Sequence, residues 1–152
     1  MDKKQFMDFC KNEFELQGFK KIKKTFYLSG KDLLCGIEFQ KSNYGNSYYI
    51  NYYFFLGNFD DTNDYPACYD LDIQGRIVVM SKKQTVSGKH FLTSAIEYEE
   101  YTEEELHPYF DKEFEERILP PIHQGKKYIL DNLGKLYSLT LHKEEVMRKL
   151  QS

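Results

Sequence analysis

The hydrophobic pattern begins at helical spacing and then changes period. From Lys3 to Leu16 the residues Phe6, Cys10 and Phe14 form a stripe, flanked by Phe9 and Leu16. Lys4, Asp8, Lys11 and Glu15 make the other side polar, as in a helix lying on a sheet. Gly18 stands where a left-handed residue would close that helix. The pattern then turns strand-like. Thr25–Leu28 is rich in β-formers, and Gly30–Asp32 supplies a turn. Leu33–Ser42 alternates, with Leu33, Cys35, Ile37 and Phe39 on one side and Glu38 and Gln40 on the other. Asn43–Asn46 has the composition of a hairpin connection, and Ser47–Leu56 is the strongest strand of the chain.

Both faces of that strand are apolar or aromatic. One carries Tyr48, Ile50, Tyr52, Phe54 and Leu56; the other carries Tyr49, Asn51, Tyr53 and Phe55. A strand with one wet face alternates apolar and polar residues, so this one is expected to be central and covered by helices on at least one side. The acidic, turn-rich stretch Gly57–Asp72 is expected to be a surface loop. Arg76–Met80 and His90–Tyr98 are expected strands, the second with Leu92, Ser94, Ile96 and Tyr98 on one side, and Ser81–Lys89 a polar connection.

From Thr102 the period is helical again. Thr102 and Glu105 have capping-box spacing, and Leu106, Phe110, Phe114 and Ile118 form a stripe that Pro120–Pro121 is expected to end. Gln124–Leu133 is expected to be a second helix, with Ile129, Leu130 and Leu133 inward and Gly134 closing it. A last short helix is expected over Leu141–Leu150, amphipathic through Val146, Met147 and Leu150. The sum is a single α+β domain spanning residues 1–152. It has an antiparallel sheet of about five strands, an N-terminal helix, and two or three C-terminal helices packed on the sheet.

Composition sharpens this in two ways. The chain holds 13 Tyr and 12 Phe without any Trp, so the placement of rings dominates its packing. Charge is segregated under a net value of -3: residues 1–41 carry nine Lys against six acids, whereas residues 95–117 carry ten acids against Lys112 and Arg117. The overall acidity argues against a nucleic-acid partner, although Lys20–Lys24 with exposed strand aromatics would be the place for one. Cys10, Cys35 and Cys68 are widely separated and suit free thiols in a reducing, cytoplasmic setting. No apolar run reaches signal-peptide or membrane-spanning length, so neither segment is expected.

Most catalytic templates are absent. There is no GxGxxG, phosphate loop, HExxH or Gly-x-Ser-x-Gly, and His90, His107, His123 and His142 fall on separate elements. The alternation of Asp60, Thr62 and Asp64 lacks the glycine and distal Glu of a calcium loop. Asp32 with Glu38 and Lys41 faintly matches a nuclease metal site, but Lys41 is three positions from Glu38 and so points to the other face. No catalytic residue, metal or cofactor is therefore expected. What remains is a polar and aromatic group that the register of adjacent strands would gather. It comprises Glu38 and Gln40 on one strand, Tyr49, Asn51 and Tyr53 on the next, and Arg76 beside them. Buried phenols and amides need hydrogen-bond partners, so these side chains either pair internally or line a ligand-binding cleft.

A resemblance covers about Phe6 to Leu133. It is carried by Phe14…Gly18-Phe19-Lys20, Thr25-Phe26-Tyr27, Phe39-Gln40-Lys41-Ser42, Tyr49-Ile50-Asn51, Arg76-Ile77 and the Glu-rich segment ending Ile118-Leu119-Pro120. Through these the chain resembles a bacterial family catalogued as a domain of unknown function. The resemblance implies a single cytosolic α+β domain and no assigned activity, cofactor or catalytic residue. Two functions stay open. One is a non-enzymatic protein-binding or self-associating domain, of the immunity or accessory type, suggested by segregated charge and abundant Tyr. The other is a small-molecule-binding protein or enzyme using the Glu38, Gln40, Tyr49, Asn51, Tyr53 and Arg76 group as a cleft.

Overall fold

The computed structural model describes residues 1–57, 73–139 and 143–152. The N-terminal helix α1 runs Lys3–Leu16, and Asp2 and Gln5 form a reciprocal capping box at its start. At its end the Phe19 N–H donates to the Phe14 carbonyl and the Gly18 N–H to that of Glu15. This closing motif needs the positive φ of 99° that Gly18 adopts. Phe6, Phe9, Cys10 and Phe14 are buried as the stripe requires. Leu16 is not among them: it is 78% exposed, since it sits two residues past Phe14, about 200° around the helix from the buried stripe.

The main sheet is antiparallel, with strands in sequence order: β1 (Lys20–Ile22), β2 (Thr25–Ser29), β3 (Leu33–Lys41), β4 (Tyr48–Leu56) and β5 (Ile73–Arg76). β4 is interior, between β3 and β5. Leu33, Cys35, Ile37, Ile50, Tyr52 and Phe54 face the helices and join the main core. There Phe14 packs edge-on against Phe26 of β2 at 5.1 Å, and Phe9 against Phe110 at 5.1 Å. The opposite face holds a separate buried cluster of Tyr27, Leu34, Tyr53 and Phe55, with Ile22 against it.

Several strand boundaries differ from the sequence pattern: β1 is an added strand, and Ser81–Gln84 of the expected polar connection are extended in a strand. The run Arg76–Met80 is not one strand: Arg76 ends β5, Ile77 still donates to the Ile50 carbonyl, and Val79 begins β6 (Val79–Gln84) in a second, two-stranded sheet. Its partner β7 is only His90–Thr93. Beyond it Ile96 bridges Tyr48, and Tyr98 opens a short 3₁₀ turn, so Leu92 is exposed while Ile96 and Tyr98 are buried. A β-branched run says that the chain is extended, not which sheet it pairs with.

The C-terminal half begins with α2 (Glu103–Glu113), and Thr102 and Glu105 form the expected capping box. Leu106, Phe110, Phe114 and Ile118 are all fully buried. Pro120–Pro121 does not end this run. A π-helical turn, Phe114–Ile118, follows α2, and the Leu119 N–H donates to the Phe114 carbonyl. The prolines then fall in the first turn of α3 (Leu119–Gln124), where backbone N–H groups have no acceptor within the helix. Gln124 thus belongs to α3, and the next helix, α4, is shorter than expected at Lys126–Asp131. The last helix, α5 (Lys143–Gln151), buries Val146 and Leu150. The loop expected over Gly57–Asp72 lies outside the described residues beyond Gly57, as do Cys68 and Leu141. No helix among the described residues is long and apolar enough to cross a membrane.

Candidate functional site

The helices cover one face of the sheet, and the residues singled out by sequence lie on the other. Register sets them side by side: Gln40 is opposite Tyr49, Glu38 opposite Asn51, and Asn51 opposite Arg76. Side chains of paired residues in adjacent strands project from the same face, so Gln40, Asn51 and Arg76 meet across β3, β4 and β5. The Asn51 Nδ2 donates to Gln40 Oε1 at 2.9 Å, and the Arg76 Nε donates to Asn51 Oδ1 at 2.9 Å. Arg76 Nη2 also donates to Gln40 Oε1 at 3.2 Å. The guanidinium carbon lies 4.0 Å from the centre of the Tyr49 ring, a cation–π stack. Asn51 is 8% exposed beneath this arrangement, while Gln40 and Arg76 are exposed above it.

Glu38 and Tyr53 border the patch without entering it. The Glu38 carboxylate accepts from Thr25 Oγ1 at 3.3 Å and pairs with Lys24 at 3.5 Å. Tyr53 stands opposite Gly36 and Gln74 and packs in the second aromatic cluster. The face therefore has two ends, one buried and aromatic, the other polar and surface-facing. The amides pair with each other and with Arg76.

The faint nuclease pattern does not assemble. Asp32 Oδ1 accepts the Lys126 N–H at 2.8 Å and so caps α4 from the turn before β3. Glu38 lies six positions further along extended chain, about 20 Å away at the strand rise.

Two further groups of titratable residues were not evident in the sequence. On the helix side Tyr52 donates to Glu113 Oε2 at 3.3 Å, and Arg117 lies 3.8 Å from Glu113 Oε1. Burial raises the Glu113 carboxyl above its ordinary value, opposed by the Arg117 charge, and burial likewise raises the Tyr52 phenol. The only readable signal was the i, i+4 spacing of Glu113 and Arg117. The second group joins α1 to α2. His107 Nδ1 lies 2.6 Å from Glu13 Oε1, and its Nε2 lies 3.0 Å from Asp111 Oδ2. The hydrogen bond to Glu13 raises the His107 pKa, helped by both carboxylate charges. These three residues are the group closest to a metal-ligand set among those described. The two ring nitrogens point away from one another, however, each to its own carboxylate. That is how a doubly donating imidazolium sits, and an ion on either nitrogen would displace one pair.

Glu113 and His107 are therefore explained by packing and pairing, whereas the Arg76 patch is ordered, polar and turned outward. Comparison with curated proteins and with solved structures returns no match. Residues 11–124 match the family described as Domain of unknown function (DUF4304), a span that includes α1 from Lys11, the described strands, α2 and α3. The chain belongs to the DUF4304 family.

Proposed function

We propose that this protein is a non-enzymatic, protein-binding domain whose contact surface is the open face of the sheet around Arg76. The observation that carries this reading is the Arg76–Tyr49 stack. A large amphipathic pair is held in one geometry by Asn51 and Gln40 before any partner arrives. Tyr and Arg are enriched where proteins meet, and ordering them in advance lowers the entropy cost of association. Amides and a guanidinium offer hydrogen bonds but no general base or nucleophile at neutral pH, and Glu38 is tied to Lys24 and Thr25. These features favour binding over catalysis.

The setting belongs to the same proposal: a bacterial, cytosolic accessory or immunity-type protein. The buried free thiols Cys10 and Cys35 support a reducing compartment. Affinity capture from the source cell tests the reading when the wild type is compared with Tyr49→Ala/Arg76→Ala. We expect a stoichiometric partner with the wild type and its loss from the double variant, with the melting temperature little changed. A partner retained by the double variant would place the contact elsewhere.

A further inference from the structure

We infer that the open face recognises a carboxylate, carried by an acidic segment of a partner protein, through the free edge of Arg76. This deepens the reading of that face as a binding surface and rests on it. A guanidinium has two edges that can grip a pair of oxygens: the Nε/Nη2 edge and the Nη1/Nη2 edge. In Arg76 the first edge is occupied, Nε by Asn51 Oδ1 and Nη2 by Gln40 Oε1. One flat face is occupied by the Tyr49 ring. The second edge carries the fork whose geometry matches a carboxylate bidentately, and the side chain is exposed.

Charge supports the same occupant. Both groups that hold Arg76 in plane are neutral amides, so they fix the cation without neutralising it. Among the described residues no carboxylate lies within ion-pair distance of Arg76. Glu38, opposite Asn51 on the same face, pairs with Lys24 instead. A partner carboxylate would complete the fork without displacing any existing bond. Because Asn51 and Gln40 fix the plane, Lys could not substitute: its ammonium is a point charge without the forked edge.

The test uses the full chain and three probes: an N-acetylated tetraglutamate amide, the tetraglutamine equivalent, and inorganic phosphate. NMR follows the Nε–H of Arg76 and the side-chain amides of Asn51 and Gln40. We expect saturable shifts with tetraglutamate, none with tetraglutamine, and phosphate binding at least tenfold weaker. Arg76→Lys should weaken tetraglutamate binding at least tenfold while the fold, checked by thermal melting, persists. The inference is overturned by absence of binding, by equal binding to Arg76→Lys, or by phosphate binding as tightly as the peptide. Its failure is separable from that of the broader reading. If tetraglutamate fails but a captured partner is still lost on Tyr49→Ala, the face remains the contact surface and only the carboxylate assignment falls.

Discussion

Individual residues show how tightly the core limits what the open face can be. Gly75 of β5 stands opposite Tyr52 of β4. A Cβ at Gly75 would come within 2.5 Å of the Tyr52 ring, so the missing side chain is what lets the phenol lean toward Glu113. Overpacking of this kind costs about 1–3 kcal/mol. Gly75→Ala should lower stability by that amount in urea unfolding. It should also displace Tyr52 from Glu113, seen as altered near-UV circular dichroism. The purpose of this glycine was not legible beforehand, since only the cross-strand partner reveals it. Tyr49, Asn51 and Arg76 were legible, because a period of two assigns them to one face once the register is known.

Between elements, the contact of α1 with α2 makes the clearest prediction. His107 donates to Glu13 of α1 and Asp111 of α2, and its folded-state pKa is raised. A raised pKa means that the stabilisation is fully present below the unfolded value of about 6.5. It is lost as pH rises through the folded value. His107→Gln should therefore be less stable than the wild type at pH 6, by up to about 1 kcal/mol because the side chain is half exposed. The gap should narrow toward pH 9, and a gap constant with pH would remove the imidazolium from the account. The two helices themselves were readable, since caps and stripes are local signals. The Thr102 box and the burial of Phe6, Phe14, Phe110 and Phe114 follow from spacing alone. Pro120–Pro121 misled because a π-helical turn shifts the helix register, and nothing in composition announces such a turn. The split of Arg76–Met80 between two sheets was hidden for a similar reason: it depends on pairing between distant strands.

At the scale of the whole molecule, the rings divide the sheet into two differently used faces. One is closed by α1, α2 and the main aromatic core. The other is part buried cluster and part ordered polar surface, with Arg76 held over Tyr49. The pattern of Ser47–Leu56 foretold that both faces would be apolar enough to cover. The sequence also sets Arg76 beside Gln40, Tyr49 and Asn51; that the two amides at one end of the second face hold its guanidinium over the Tyr49 ring is side-chain geometry that the pattern does not carry. The central claim is that this end contacts a partner protein. It is tested most directly by placing a photo-cross-linking residue at Gln74, exposed on the same face two residues before Arg76, and, as a control, at Glu144 on the exposed side of α5. Both proteins would then be irradiated in the producing cell. A discrete protein adduct from Gln74 and none from Glu144 is the predicted result; no adduct from Gln74, or the same adduct from both positions, would contradict the account.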